Sequence, residues 1–170
     1  MPNVTLRPSA RILLLDDREQ ILLYRGLGLA KDSSHAWFTP GGGVRENESV
    51  VRAAARELHE ETGYRVSPER LGAIVATSEG HWRHTDGRLF YSIDSFFFLR
   101  VGRLEIDTSG MEELERSLIV SHRWWTLPEL RTTEEWVIPL GLAEVLERLI
   151  AGDRPDKPFV FPWHHPDIPD

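Results

Sequence analysis

The chain has 170 residues, of which 28% are charged and 41% hydrophobic, with a formal net charge of −7 and no cysteine. This size and balance predict one globular domain over residues 1–170, ending in a Pro-rich tail over 153–170. The negative charge argues against a nucleic-acid partner. The lack of cysteine excludes disulfides, thiolate catalysis and cysteine zinc sites.

The first apolar run, Ile12–Leu15, has only four residues and is followed by Asp16 and Asp17. It is too short for a signal peptide, and no later segment reaches membrane-spanning length. We therefore expect a cytoplasmic protein that has no membrane partner.

The segments before the glycine-rich turn predict three strands. Arg11–Leu15 and Gln20–Arg25 flank a polar turn, which predicts a hairpin of two buried strands. Gly26–Ser34 is a polar loop, interpreted as a connector in preference to a substrate-side loop. Trp37–Thr39 predicts a short strand that the following proline ends.

The second half of the chain predicts further strands and a helix. Leu71–Thr77 and Leu89–Val101 are expected to be strands, joined by a hairpin loop over Glu79–Gly87. His122–Thr126 predicts another strand, and Ile138–Ile150 has apolar residues at helical spacing. Strands interleaved with two substantial helices predict a mixed sheet covered on both faces.

The other helix is predicted directly after the glycines Gly41–Gly43. Val50–Thr62 contains neither proline nor glycine, and Glu48 and Ser49 form a polar start. Gly63 stands where a left-handed C-cap residue belongs. The sequence therefore predicts a helix from Val50 to Thr62.

Three carboxylates, Glu57, Glu60 and Glu61, share one face of this helix. Each ionised pair repels by about 3 kcal/mol at an effective dielectric of about 20. One interpretation is a solvated acidic surface, where salt weakens the repulsion. The other is a site for Mg²⁺, which takes oxygen ligands. The preceding glycines favour the metal site, because a glycine turn brings backbone groups close to the helix start.

The segment Gly42–Tyr64 resembles the Nudix box, Gly-x5-Glu-x7-Arg-Glu-U-x-Glu-Glu-x-Gly-U, in which U is a bulky apolar residue. The matching residues are Gly42, Glu48, Arg56, Glu57, Leu58, Glu60, Glu61, Gly63 and Tyr64. Only the last departs from the family, which usually has an aliphatic residue there. The resemblance implies an α+β protein with the Nudix fold, an α/β/α sandwich built on a mixed β-sheet.

The resemblance also implies roles for the box residues. The implied metal ligands are Gly42, through its carbonyl, Glu57, Glu60 and Glu61. Arg56 and Glu48 are implied to form a supporting pair that orients the acidic end of the helix. Without the resemblance, Arg56 is an ordinary helical partner of Glu60, and Glu48 is a carboxylate favoured by the helix dipole.

Nudix proteins take the general base from different places. Within the box the candidate is Glu60. In a later loop the candidates are Glu112, Glu113 and Glu115, among which we choose Glu115. A plain solvated acidic loop is the alternative interpretation of these three residues.

The segment from His81 to His84 is the candidate for binding substrate. His81, Trp82 and Arg83 could stack on a base and contact a phosphate, whereas an exposed hairpin without a role is the alternative. ADP-ribose hydrolases often carry a proline about sixteen residues after the box, and Gly80 stands near that point. The sequence therefore does not name the substrate.

The function implied by the resemblance is Mg²⁺-dependent hydrolysis of a phosphoanhydride, with Mn²⁺ as a substitute metal. The implied substrate is a nucleoside diphosphate linked to another group, such as a nucleoside triphosphate or a nucleotide sugar, and a homodimer is left open. One alternative is a catalytically inactive Nudix-like regulator that binds a ligand, which the intact box disfavours. A structural protein is another alternative. The isomerase branch of the family is excluded, because it needs a catalytic cysteine and this chain has none.

Overall fold

The computed structural model describes residues 3–27, 35–84, 86–112 and 119–164. Within these residues the strands are β1 (Val4–Leu15), β2 (Ile21–Leu27), β3 (His35–Phe38), β4 (Gly41–Gly43), β5 (Ala76–Arg83), β6 (Leu89–Arg100), β7 (Ile119–Trp125), β8 (Trp136–Ile138) and β9 (Phe159–Val160). The helices are α1 (Val50–Thr62), α2 (Pro68–Leu71), α3 (Leu127–Thr132) and α4 (Leu142–Ile150).

The described strands form one mixed sheet in the order β8-β3-β2-β1-β6-β5-β9, with β4 beside β1 and β7 beside β2. Three pairs are parallel: β1 with β6, β3 with β8 and β5 with β9. The longest pairing joins β1 to β6, from Val4 opposite Leu89 to Leu15 opposite Arg100. This confirms the predicted mixed sheet.

Both faces of the sheet are covered, and β1 contributes to both cores because its successive side chains point to opposite sides of the sheet. Leu13 and Leu15 pack in the core that contains Leu146 of α4. Ile12 and Leu14 pack in the core that contains Leu58 of α1. A strand buried on both faces needs a continuous apolar run, as Ile12–Leu15 provides.

Helix α1 begins and ends where its sequence predicts. The Ser49 hydroxyl accepts a hydrogen bond from the Arg52 N–H at 3.3 Å, and Gly63 has the left-handed φ of 80° that ends the helix. The helical wheel of this segment predicts a buried face formed by Val51, Ala54, Ala55, Leu58 and Thr62, and the structure differs from this prediction in part. Ala53 is buried, whereas Val51 and Ala55 are half-buried.

The prediction for the region before β6 is wrong in position. Leu71 ends α2, and β5 runs from Ala76 to Arg83, through most of the predicted loop. Pairing with β6, from Ala76 opposite Phe96 to Arg83 opposite Leu89, provides backbone partners for this polar stretch. The turn is short and closes with a hydrogen bond from the His84 N–H to the Arg88 carbonyl at 2.9 Å.

The helix predicted from Ile138 instead begins at Leu142, because Ile138 ends β8, where it pairs with Phe38, and Gly141 has a left-handed φ of 80° through which a helix does not continue. Part of the predicted tail packs on the sheet. β9 pairs with β5, and Phe161 is buried against Phe96 with ring centroids 5.0 Å apart. Within the described residues, the helices are all too short or too polar to cross a membrane.

Candidate active site

The glycine turn of β4 lies directly against the acidic face of α1. A Cβ added to Gly42 would stand 2.5 Å from Glu57 Oε1, so any side chain at this position would displace the Glu57 carboxylate. The backbone N–H of Gly41 donates a hydrogen bond to Glu61 Oε2 at 2.9 Å. Backbone and carboxylates are therefore brought together as the Nudix resemblance implies.

The same turn is held from the other side by Arg11 of β1. Arg11 Nη1 donates to the carbonyl oxygens of Thr39 and Gly41, both at 3.2 Å. The Gly41 peptide groups thus bind a carboxylate on one side and a guanidinium on the other. This fixes the turn between β1 and α1.

Arg56 joins the acidic residues into one cluster. Its Nε and Nη2 donate to the two oxygens of Glu48 at 2.8 and 2.9 Å. Its Nη1 donates to Glu57 Oε1 at 2.9 Å and to Glu60 Oε2 at 3.3 Å. The hydrogen bonds from Arg56 lower the pKa of Glu48 from 4.5 to about 2. The pair predicted between Arg56 and Glu48 is present, while its role in catalysis stays a prediction.

Glu57 and Glu61 are each only 4% exposed. A buried carboxylate is costly unless donors compensate its charge. Arg56 supplies a donor to Glu57, and the Gly41 N–H supplies one to Glu61. Burial and the charge of Glu61 raise the pKa of Tyr24, whose hydroxyl donates to the backbone carbonyl of Glu61 at 2.7 Å.

Glu60 is the most accessible of the three helix carboxylates, with 19% of its side chain exposed. Arg45 Nη2 lies 3.6 Å from Glu60 Oε1 and 3.4 Å from Glu112 Oε1. Arg45 therefore lies between Glu60 of the helix and Glu112. It was missed in the sequence, because it occupies a position of the box where any residue is allowed.

The segment before Glu112 is anchored on the end of α1. The Asp107 N–H donates to the Thr62 carbonyl at 3.0 Å, and Met111 is buried in the core beneath α1. Glu112 is thereby brought beside Glu60. The other two loop candidates for the general base, Glu113 and Glu115, lie outside the described residues.

The donor set fits a hard divalent cation in its chemistry, since it consists of carboxylates beside a glycine backbone that approaches without a side chain. Within the described residues, no three acidic or histidine side chains converge as metal ligands. Instead, the Arg56 guanidinium bonds to both Glu57 and Glu60. In this arrangement arginine side chains supply the positive charge that the carboxylates need.

The residues predicted to bind substrate do not form one cluster. Trp82 stacks on Phe90 with ring centroids 4.7 Å apart, and its Nε1 donates to Ser92 Oγ at 2.7 Å. His81 packs edge-on against Tyr91, while Arg83 donates to the Gly87 carbonyl. Because they are successive residues of β5, Trp82 points away from its two neighbours.

These residues also lie at a distance from the glycine turn. Trp82 pairs with Phe90, which pairs with Thr5 of β1. Gly42 pairs with Ala10, five residues further along the same strand. At about 3.3 Å per residue, the separation along β1 is about 16 Å. Only an extended substrate would contact both regions.

Residues 5–149 match the NUDIX domain family. An RNA pyrophosphohydrolase of Pseudomonas fluorescens (strain SBW25) is 28% identical over 161 residues, which cover 86% of this chain and 96% of that protein. Among solved structures, a MutT protein from Methanosarcina mazei Go1 has a TM-score of 0.58 and 19% identity, covering 89% of this chain and 97% of that one.

An ADP-ribose pyrophosphatase from Streptococcus suis 89-1591 has a TM-score of 0.55 and 18% identity, covering 93% of this chain and 98% of that one. At such identities the structures show the fold alone. The predicted Nudix fold is confirmed, and so is the prediction of a hydrolase. Proteins of this family generally use divalent metal ions. With most of its length matched, the chain belongs to the NUDIX domain family.

Proposed function

We propose that this chain is a Mg²⁺-dependent hydrolase that cleaves a phosphoanhydride bond in a nucleoside diphosphate linked to another group. Nucleoside triphosphates and nucleotide-sugar-like compounds are the proposed substrate class. The observation that carries the proposal is the packing of Gly42 against the carboxylate of Glu57, beside the buried carboxylate of Glu61. Buried carboxylates beside an open glycine backbone are better explained by binding of a hard cation and a phosphate than by a purely structural role in the hydrophobic core.

The residues proposed to hold the metal are Gly42, Glu57, Glu60 and Glu61. When bound, Mg²⁺ or its substitute Mn²⁺ supplies positive charge to the phosphoryl oxygens and lowers the pKa of a bound water. Arg56 and Glu48 keep the acidic end of α1 in place through their paired hydrogen bonds. Fixed positions of this kind are what phosphoryl transfer needs most.

Glu60 is the proposed general base within the box, with Glu115 as the alternative from the later segment. Of the helix carboxylates, Glu60 has the largest exposed fraction, so a water molecule can reach it. The base takes a proton from the attacking water, and the leaving phosphate departs from the opposite side. The position of Glu112 beside Arg45 supports a contribution from its segment.

A second candidate substrate is the 5′-triphosphate end of an RNA. The observation in its favour is the RNA pyrophosphohydrolase of Pseudomonas fluorescens, which this chain matches over most of both lengths. The formal charge of −7 counts against a long RNA. A short RNA would place few phosphates outside the site, so repulsion by the negative protein surface would be small.

One experiment tests these proposals together. The chain is incubated with nucleoside triphosphates, nucleotide sugars, ADP-ribose, dinucleotides or a short 5′-triphosphorylated RNA, with Mg²⁺, Mn²⁺ or a chelator, and the products are separated. We expect cleavage only with a divalent metal. Glu57→Gln should lose about 100-fold or more in kcat, while the exposed Glu69→Gln on α2 serves as the matched control. Full cleavage with the chelator, or wild-type turnover of Glu57→Gln, would contradict the proposed metal site.

A further inference from the structure

Two arginines contact Glu60, and they do so in different ways. Arg56 binds Oε2, is 18% exposed, and also holds Glu48 through two short hydrogen bonds. Arg45 lies 3.6 Å from Oε1, is 55% exposed, and shares the same nitrogen with Glu112. The first contact belongs to a fixed cluster, whereas the second is long, exposed and shared.

We propose that Arg45 is an internal counter-cation of the candidate metal site. Its guanidinium neutralises Oε1 of Glu60 in the metal-free protein, and a divalent cation displaces it on binding. The proposal rests on the proposed function, since it requires that Glu60 belongs to a metal site. It assigns a role to a residue that the spacing of the box leaves undefined.

The exposure of Arg45 makes such an exchange feasible. The Arg45 side chain is 55% exposed, so solvent screening weakens its ion pair with Glu60. A divalent ion carries twice the charge of a guanidinium and binds carboxylate oxygen directly. Arg56 and Arg45 contact different oxygens of Glu60, so the departure of Arg45 frees Oε1 while the contact between Arg56 and Oε2 is kept.

Glu112 gives the displaced guanidinium a second partner. It lies 3.4 Å from Arg45 Nη2 and follows Met111, which is buried in the core beneath α1. When the metal takes Glu60, Arg45 keeps its contact with Glu112. Glu112 therefore draws Arg45 away from Glu60 and favours metal binding, although it is not itself a proposed ligand.

This arrangement predicts effects of opposite sign on metal affinity. Arg45→Gln removes the competing cation, so the Kd for Mg²⁺ or Mn²⁺ should fall by roughly two- to fivefold. Among the described residues, Glu112→Gln leaves Arg45 with Glu60 as its remaining carboxylate partner, so the Kd should rise by a similar factor. In the double variant Arg45→Gln/Glu112→Gln, the Kd should stay below the wild-type value, and Glu112→Gln should raise the Kd by less than it does when Arg45 is present, because only the direct attraction between Glu112 and the metal is then lost.

The Kd values are measured by calorimetric titration of the substrate-free protein with each metal at low ionic strength, where exposed pairs are least screened. Arg52→Gln is the matched control: it removes the same charge from an exposed residue of α1 that forms no ion pair within the described residues. Its Kd should stay at the wild-type value, and all variants should keep the wild-type melting temperature within a few degrees.

The outcomes separate the two proposals. If wild type binds metal and Arg45→Gln has the Kd of Arg52→Gln, the counter-cation role is wrong while the metal site stands. The same conclusion follows if Glu112→Gln tightens binding. If wild type binds neither metal, the proposed function fails, and the counter-cation role fails with it.

Discussion

The sequence predicts functional residues both at the acidic end of α1 and at the outer end of the β5–β6 hairpin, yet the two regions are built differently. At the helix end, Arg56 reaches Glu48, Glu57 and Glu60, so residues spaced along the chain converge. At the hairpin end, His81 and Trp82 are adjacent in the chain and point apart. Spacing predicts proximity only when the type of element is known.

The two regions are also held together by different forces. Ion pairs and backbone donors fix the helix end, with Arg56 as the central cation. Ring packing fixes the hairpin end, where Phe90 is buried between Trp82 and the guanidinium of Arg7, 4.5 Å from its ring. We therefore expect the helix end to respond to changes of charge and the hairpin end to changes of shape.

The largest expected effect is that of Arg56→Gln on stability. Removing this cation takes a charged hydrogen-bond donor away from the buried carboxylate of Glu57, so the free energy of unfolding should fall by about 3 kcal/mol. Arg83→Gln, at the hairpin end, should change it by less than about 0.5 kcal/mol, because that arginine is exposed. Urea unfolding of both variants tests this difference. Equal losses of unfolding free energy would show that Arg56 is no more important for stability than the exposed Arg83.

Glycine to alanine changes compare the two regions at the level of one methyl group. In Gly42→Ala the Cβ would stand 2.5 Å from Glu57 Oε1, so kcat should fall by about 100-fold. In Gly80→Ala the Cβ would meet the ring of Trp163, so stability should fall by about 1–3 kcal/mol while kcat changes little. Turnover and unfolding are measured for both. Loss of kcat in Gly80→Ala alone would reverse the assignment of the active site.

The helix end could be predicted because its determinants are local. Ser49 and Gly63 cap α1 within a few residues of its ends. The start of β5 could not be predicted, since pairing of Ala76 with Phe96 decides it. Arg45 could not be assigned either, because its partner Glu112 lies 67 residues further along the chain.

Trp82→Ala tests whether the hairpin end selects substrate as well as packing Phe90. We expect the ratio of kcat/KM between the best and a poor substrate to narrow by about tenfold, through KM, because a stacking surface is lost. Trp82→Phe keeps a ring and should keep most of the ratio. Stability should fall in Trp82→Ala by about 1–2 kcal/mol, since Phe90 loses its cover. A ratio that is unchanged while stability falls would leave Trp82 a packing role alone.

The last expected effect is a pH dependence of stability that distinguishes two carboxylates, each bonded to an arginine. The hydrogen bonds from Arg56 lower the pKa of Glu48 to about 2 from its ordinary value of 4.5. At the hairpin end, the Arg88 backbone and side chain also lower the pKa of Asp86. A pKa lowered by folding means that the contribution to stability is present above the unfolded value and is lost as the pH falls towards the folded value.

Glu48→Gln should therefore lower the melting temperature at neutral pH, and its difference from wild type should shrink as the pH falls from 4.5 towards about 2. Asp86→Asn should show the same sign with a smaller amplitude. The reason is solvent screening, since the side chain of Glu48 is 16% exposed and that of Asp86 is 43% exposed. Melting curves of wild type and both variants across this pH range provide the measurement. If Asp86→Asn shows the larger pH dependence, exposure does not set the strength of these ion pairs. The conclusion that charge interactions stabilise the helix end more than the hairpin end would then be wrong.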